Sequence, residues 1–173
     1  MQTKPAVSDA DSFLQVQTKR AGKIKGESST TGHVDEIEVE SFSFGATNAG
    51  SFQSGGGGGS GKVAMADMHI VKKVDKASAK LFTSCATGEH LKTATLVCRK
   101  AGKDQQEFLT IVLSPILISG FQNGGSAGSD VIPMDQVSIN YGKIEFKYKE
   151  QKPDGSLGGE VIGGWDVTTN KKV

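Results

Sequence analysis

The sequence predicts a mainly β protein: an antiparallel barrel with one flanking helix. Three observations carry this reading. Short segments of alternating apolar and polar residues recur from Phe13 to Thr169. Glycine-rich and Asp-Gly signals punctuate them. Only Asp75 to Gly88 shows helical spacing with a capping residue at each end. Many short strands remove their exposed edges by closing, or nearly closing, into a barrel.

The elements follow in order. Residues 1–10 are polar and read as a disordered tail. Phe13 to Val16 opens the first strand, and a turn follows near Gly22. Ile24 to Gly32 is a polar loop. Asp35 to Phe44 reads as a strand that changes phase, since Ile37 and Val39 are apolar at odd positions and Phe42 and Phe44 at even ones. Either a bulge intervenes, or the two faces are buried against different things. In the second case Ser41 and Ser43 form a polar face opposite the phenylalanines. A glycine-rich loop spans 45–61, and the strand after it, from Lys62, ends near Val74.

The helix is placed at about 75–87. Asp75 can accept a free backbone N–H at its start, and Gly88 can supply the left-handed residue at its end. Ala77, Leu81 and Cys85, with Phe82 beside them, make the apolar stripe. Thr95 to Lys100 and Gln106 to Leu113 read as a hairpin through Gly102-Lys103-Asp104. Pro115 lacks an N–H and marks an interruption, an edge or a bend. Ile116 to Phe121 continues the strand. Val137, Ile139 and Tyr141 then alternate in one phase, and Ile144, Phe146 and Tyr148 in the other. An extra residue at Gly142-Lys143 is therefore expected to form a bulge. Asp154-Gly155 is a turn, and Gly164 to Thr169 a last short strand.

The 173 residues make a single domain, 1–173. Net charge is +1 with both signs mixed, and aromatics are 6 %, which argues against a nucleic-acid partner. No stretch approaches the ~20 apolar residues of a membrane helix, so no membrane insertion is expected. The N-terminus lacks the basic start and apolar core of a secretory signal, so a cytoplasmic site of synthesis is expected. Cys85 and Cys98 fit no zinc spacing and read as small reduced apolar residues.

No motif for catalysis survives its context. Gly56 to Lys62 imitates a phosphate loop, but Val63 stands where the metal-binding hydroxyl belongs, and a strand follows instead of a helix. Gly124-Gly-Ser126-Ala-Gly128 imitates a nucleophile elbow, but Pro133 argues against the helix it needs. His33 lies near Asp35 and Glu36 without the spacing of a metal site. Glu36, Glu38 and Glu40 share one strand face and offer no acid/base asymmetry. The expectation is a non-enzyme without cofactor.

The residues assembled in this way resemble the hemolysin-coregulated protein family, Hcp, of bacterial type VI secretion. The resemblance rests on Lys25-Gly-Glu-Ser28, Gly32-His33, Ser41-Phe-Ser-Phe-Gly45 and the glycine run ending Gly61-Lys62-Val63. It continues through Asp75-Lys-Ala-Ser78, Cys85-Ala-Thr-Gly88, Arg99-Lys-Ala-Gly102, Asp154-Gly155 and Gly164-Trp165. It spans about Phe13 to Thr168. It implies a barrel of two sheets with one flanking helix. It also implies a homohexameric ring, rings stacked into a tube, and contractile sheath and spike proteins as partners. Export would proceed through the type VI system without a signal peptide, with small effector proteins held in the ring lumen.

On that frame Ser41 and Ser43 are expected to face the lumen, opposite Phe42 and Phe44. The loop is expected to touch the next subunit or ring through Asn48, Phe52, Gln53, Gly55, Gly59 and Lys62. The competing reading is a monomeric β-barrel ligand-binding module with the glycine-rich loop as a lid.

Overall fold

A computed structural model describes residues 10–50, 62–100, 105–128 and 130–173. The strands are β1 (Ala10–Gln17), β2 (Lys23–Ile24), β3 (Ile37–Val39), β4 (Ser41–Ser43), β5 (Ala46–Thr47), β6 (Ala64–Met65) and β7 (Met68–Lys73). After helix α1 (Lys76–Thr87) come β8 (His90–Leu91), β9 (Thr93–Lys100), β10 (Glu107–Gly124), β11 (Met134–Gln151), β12 (Leu157–Asp166) and β13 (Lys171–Lys172). The pairings are antiparallel and fall into a large sheet and a two-stranded one, β5–β6.

The phase change predicted for Asp35 to Phe44 has its cause in two partners. β3 pairs with β1, and β4 pairs with β7. Between them the Glu40 N–H donates to the Val71 carbonyl at 2.8 Å. The segment thus leaves one wall and joins the other, which nearly closes the barrel without a single continuous ladder. Ile37, Met68, Ile70, Leu96, Ile111, Ile118 and Ile139 fill the interior, each almost fully removed from water.

The glycine-rich loop begins and ends differently from the sequence reading. Its first residues form β5, and the expected strand from Lys62 is split into β6 and β7. The Ala66 N–H donates to the Gly45 carbonyl at 2.9 Å and secures the base of this ribbon. Residues 51–61 lie outside the described residues, as does the turn at Gly102-Lys103-Asp104.

β10 and β11 form the spine. Leu113 pairs with Ile144 and Ile116 with Tyr141, and all four are buried. Side chains alternate along a strand, so the buried face must change sides between these two levels. The expected bulge at Gly142-Lys143 is not one: the residue inserted there is matched by Pro115 opposite, and the register holds. The register shift in this pair falls between Ile118 and Gly120 instead. Pro115 needs no ladder N–H, because there the neighbour of β10 changes from β9 to β8. A Cβ at Gly142 would lie 3.1 Å from the Pro115 ring, so glycine allows the close approach.

α1 sits where predicted. Asp75 accepts from Ala77 N–H at 2.9 Å, and Gly88 is left-handed at φ 66°. The buried stripe is Ala77, Leu81 and Ser84. Ser84 takes the place expected for Phe82, which is 57 % exposed and meets Phe121 edge-on at 5.8 Å. Ser84 tolerates burial because its hydroxyl donates to Glu89 at 2.8 Å.

Candidate functional site

The cross-strand register places Ser41 and Ser43 in a larger surface. Opposed residues of an antiparallel pair share a face. One row runs Ser41–Val71–Gln136–Gln122 across β4, β7, β11 and β10. The next runs Ser43–His69–Ser138–Gly120. Between them lies Phe42–Ile70–Val137–Phe121, whose members are buried or packed against the core. The alternation makes one four-stranded wall with an apolar back and a front of Ser, Gln, Gly and Val with one histidine, His69.

Ser41 and Ser43 are both exposed on that front. His69 Nδ1 and Ser138 Oγ are 2.9 Å apart, which ties β7 to β11 on the same surface. A Cβ at Gly120 would come within 3.2 Å of Ser138 Oγ, so the row has no room for a bulkier residue there without movement. Reasoning on the sequence singled out the two serines but not His69, Gln122, Gln136 or Ser138. Their signal was the polar phase of the alternation in Met68-His-Ile70 and Gln136-Val-Ser-Ile139.

Behind the wall is a buried charge cluster. Lys72 and Asp135 are register partners, and both side chains are 0 % exposed. Lys72 Nζ lies 2.9 Å from Asp135 Oδ2, 2.8 Å from Asp75 Oδ1 and 2.8 Å from the Lys73 carbonyl. Ser78 Oγ donates to Asp135 Oδ2, and Asn123 Nδ2 donates to Asp135 Oδ1 at 2.7 Å. Burial alone would raise the Asp135 carboxyl. The hydrogen bonds from Ser78, Asn123 and Lys72 outweigh it and hold the group below the ordinary aspartate value. The cluster joins the helix cap to the sheet and fixes their relative position.

The other candidates are dispersed. His33 is buried, stacks on Phe13 at 4.3 Å, and sets Nδ1 2.7 Å from Glu36 and Nε2 3.1 Å from Glu107. Glu36 is committed to that contact, while Glu38 and Glu40 are exposed, so the three carboxylates do not act together. Ser126 is exposed between β10 and β11 with no helix among the described residues after it. Among the described residues, no group of three His, Cys, Asp or Glu side chains could hold a metal ion. Cys85 and Cys98 are free; burial pushes the Cys98 thiol up, partly opposed by the Ser12 hydroxyl that donates to it at 3.2 Å. Asn48 and Lys62 are exposed beside the β5–β6 ribbon, whereas Phe52, Gln53, Gly55 and Gly59 lie outside the described residues. Among the described residues, no helix is long and apolar enough to cross a membrane.

The fold and its surfaces define a β-barrel protein with a flanking helix and a polar four-stranded wall. The family model described as "Type VI secretion system effector, Hcp" matches residues 13–148. Protein hcp1 of Pseudomonas aeruginosa is 38 % identical over 162 residues, covering 92 % of this chain and 96 % of that protein. A solved type six secretion system protein is 28 % identical with a TM-score of 0.87, covering 94 % of this chain and 99 % of its own. Hcp1 of Salmonella typhimurium is 27 % identical with a TM-score of 0.77, covering 96 % and 100 %. The chain belongs to the Hcp family of the type VI secretion system.

Proposed function

We propose that this chain is a structural subunit of the type VI secretion tube. Six copies close into a ring, rings stack into a tube inside a contractile sheath, and the tube is driven out of the cell behind a spike. Small effector proteins travel in the lumen. The observation that carries the reading is the four-stranded wall. Its front presents Ser41, Ser43, Gln122, Gln136 and Ser138, with His69 as the one titratable side chain in the two rows. Such a surface lets cargo slide or rest through replaceable hydrogen bonds, because neither a buried charge nor a large apolar anchor holds it. A head-to-tail ring needs two different surfaces on each copy, and the wall leaves the helix side and the β5–β6 ribbon for those contacts. Asn48 and Lys62 are assigned to the contact between rings, together with Phe52, Gln53, Gly55 and Gly59.

Negative-stain microscopy of the purified full chain tests this directly. Six-fold rings with a central channel are the expected result. A monomer at every concentration, seen by both microscopy and sedimentation, would sink the proposal.

A further inference from the structure

A second surface lies on the far side of the helix. The β1–β2 turn and α1 enclose an open cleft of about 770 Å³. Lys19, Arg20 and Lys23 line one wall, and Lys76 and Lys80 the other. Among the described residues none of these five has an ion-pair partner within 4.0 Å. A sixth cation, Lys25, is held by Asp35 at 3.2 Å. The acidic lining residue, Glu89, accepts a hydrogen bond from Ser84. The whole chain carries a net charge of only +1, so this concentration of cations is local.

Three features define what would fit. Unpaired cations on both walls favour an anionic occupant. Ile24 and Ala21 give the cleft an apolar component, which a simple inorganic anion would not use. β2 ends the strand order of the main sheet, and among the described residues it pairs only with β1, so one edge of Lys23–Ile24 has no described strand beside it. An extended segment can add to such an edge through backbone hydrogen bonds. Among the described residues no Phe, Tyr or Trp lines the cleft, and His90 is its one ring, which leaves a single-stranded nucleic acid no run of stacking platforms.

We infer that this cleft is a docking site for an extended acidic polypeptide segment of a partner protein. Carboxylates of the segment would meet Lys19, Lys23, Lys76 and Lys80, and its backbone would run along β2. The site stands apart from the polar wall and does not rest on the ring reading.

The test uses the full chain and a short fluorescent peptide of Glu, Ser and Val, with a Gln-for-Glu counterpart. The acidic peptide should bind, and the Gln peptide should not. Two variants address opposite walls: Lys76→Gln with Lys80→Gln, and Lys19→Gln with Lys23→Gln. Each should weaken binding about tenfold, as expected when rim charges facing an opposite charge are removed. Lys147→Gln with Lys149→Gln, on β11, should leave binding unchanged. Unchanged affinity in both cleft variants would overturn the proposal. So would an oligonucleotide or inorganic phosphate that displaces the peptide at equal charge concentration, because the surface would then be a diffuse polyanion site. Sedimentation of the same samples reports ring assembly separately, so failure of one reading is distinguishable from failure of the other.

Discussion

Lys72 and Asp135 face each other across β7 and β11, 2.9 Å apart and both shut away from water. The same ammonium holds Asp75, the residue that caps α1. Helix and sheet are therefore clamped through one cation. Lys72→Met should cost about 3–5 kcal/mol in a urea titration, because it leaves two carboxylates without their counter-charge. Asp135→Asn should cost less, about 1–3 kcal/mol, because Lys72 keeps Asp75.

The cluster also sets an acid limit. The Asp135 carboxyl titrates below its ordinary value in the fold, as the Ser78, Asn123 and Lys72 bonds overcome burial. In the unfolded chain it titrates at about 3.9. A lowered folded value gives stability that is fully present above the unfolded pKa and is lost as pH falls through the folded one. Melting temperature should therefore show no change due to this group between neutrality and about pH 5, where its contribution is complete, then a decline below about pH 4. The decline should be shallower in Asp135→Asn, measured by circular dichroism.

Gly26 has a steric role. A Cβ there would overlap the carbonyl group of Glu36, and Gly26 N–H donates to Asp35 at 2.9 Å. Gly26→Ala should destabilise the chain by about 1–3 kcal/mol, as overpacking against backbone does. Gly159→Ala, with open space around it, is the comparison and should shift the urea midpoint far less.

The glycine-rich loop separates folding from assembly in the proposed role. Deleting Gly55 to Gly59 should preserve the far-ultraviolet spectrum and the cooperative melt while weakening contacts between rings. Loss of the folded signal on deletion would show that the loop belongs to the barrel.

Local signals were legible in the sequence. Asp75 and Gly88 announce α1 because a cap acts on the adjacent turn. The two phases of Val137 to Tyr148 were legible too, but not their structural meaning. Whether an extra residue makes a bulge depends on the strand opposite, and Pro115 answers Gly142 there. Lys72 and Asp135 stayed hidden for a related reason. Each occupies an inward position of its strand, where a charge alone would be prohibitive. The partner that makes it tolerable lies 63 positions away. Ser84 was passed over because its tolerance for burial depends on Glu89. The serines of the polar wall were readable from alternation, but the rows they join required the register of four strands.

The matched crossing at Pro115 and Gly142 constrains how this β-ribbon can change length. Adding one residue to β10 or β11 alone would turn half of that strand inside out. Adding one to each at the same level would reverse both strands together and keep their pairing. The level of Pro115 and Gly142 is thus where a paired insertion can be absorbed, whereas the register shift between Ile118 and Gly120 is where β10 alone carries the extra residue.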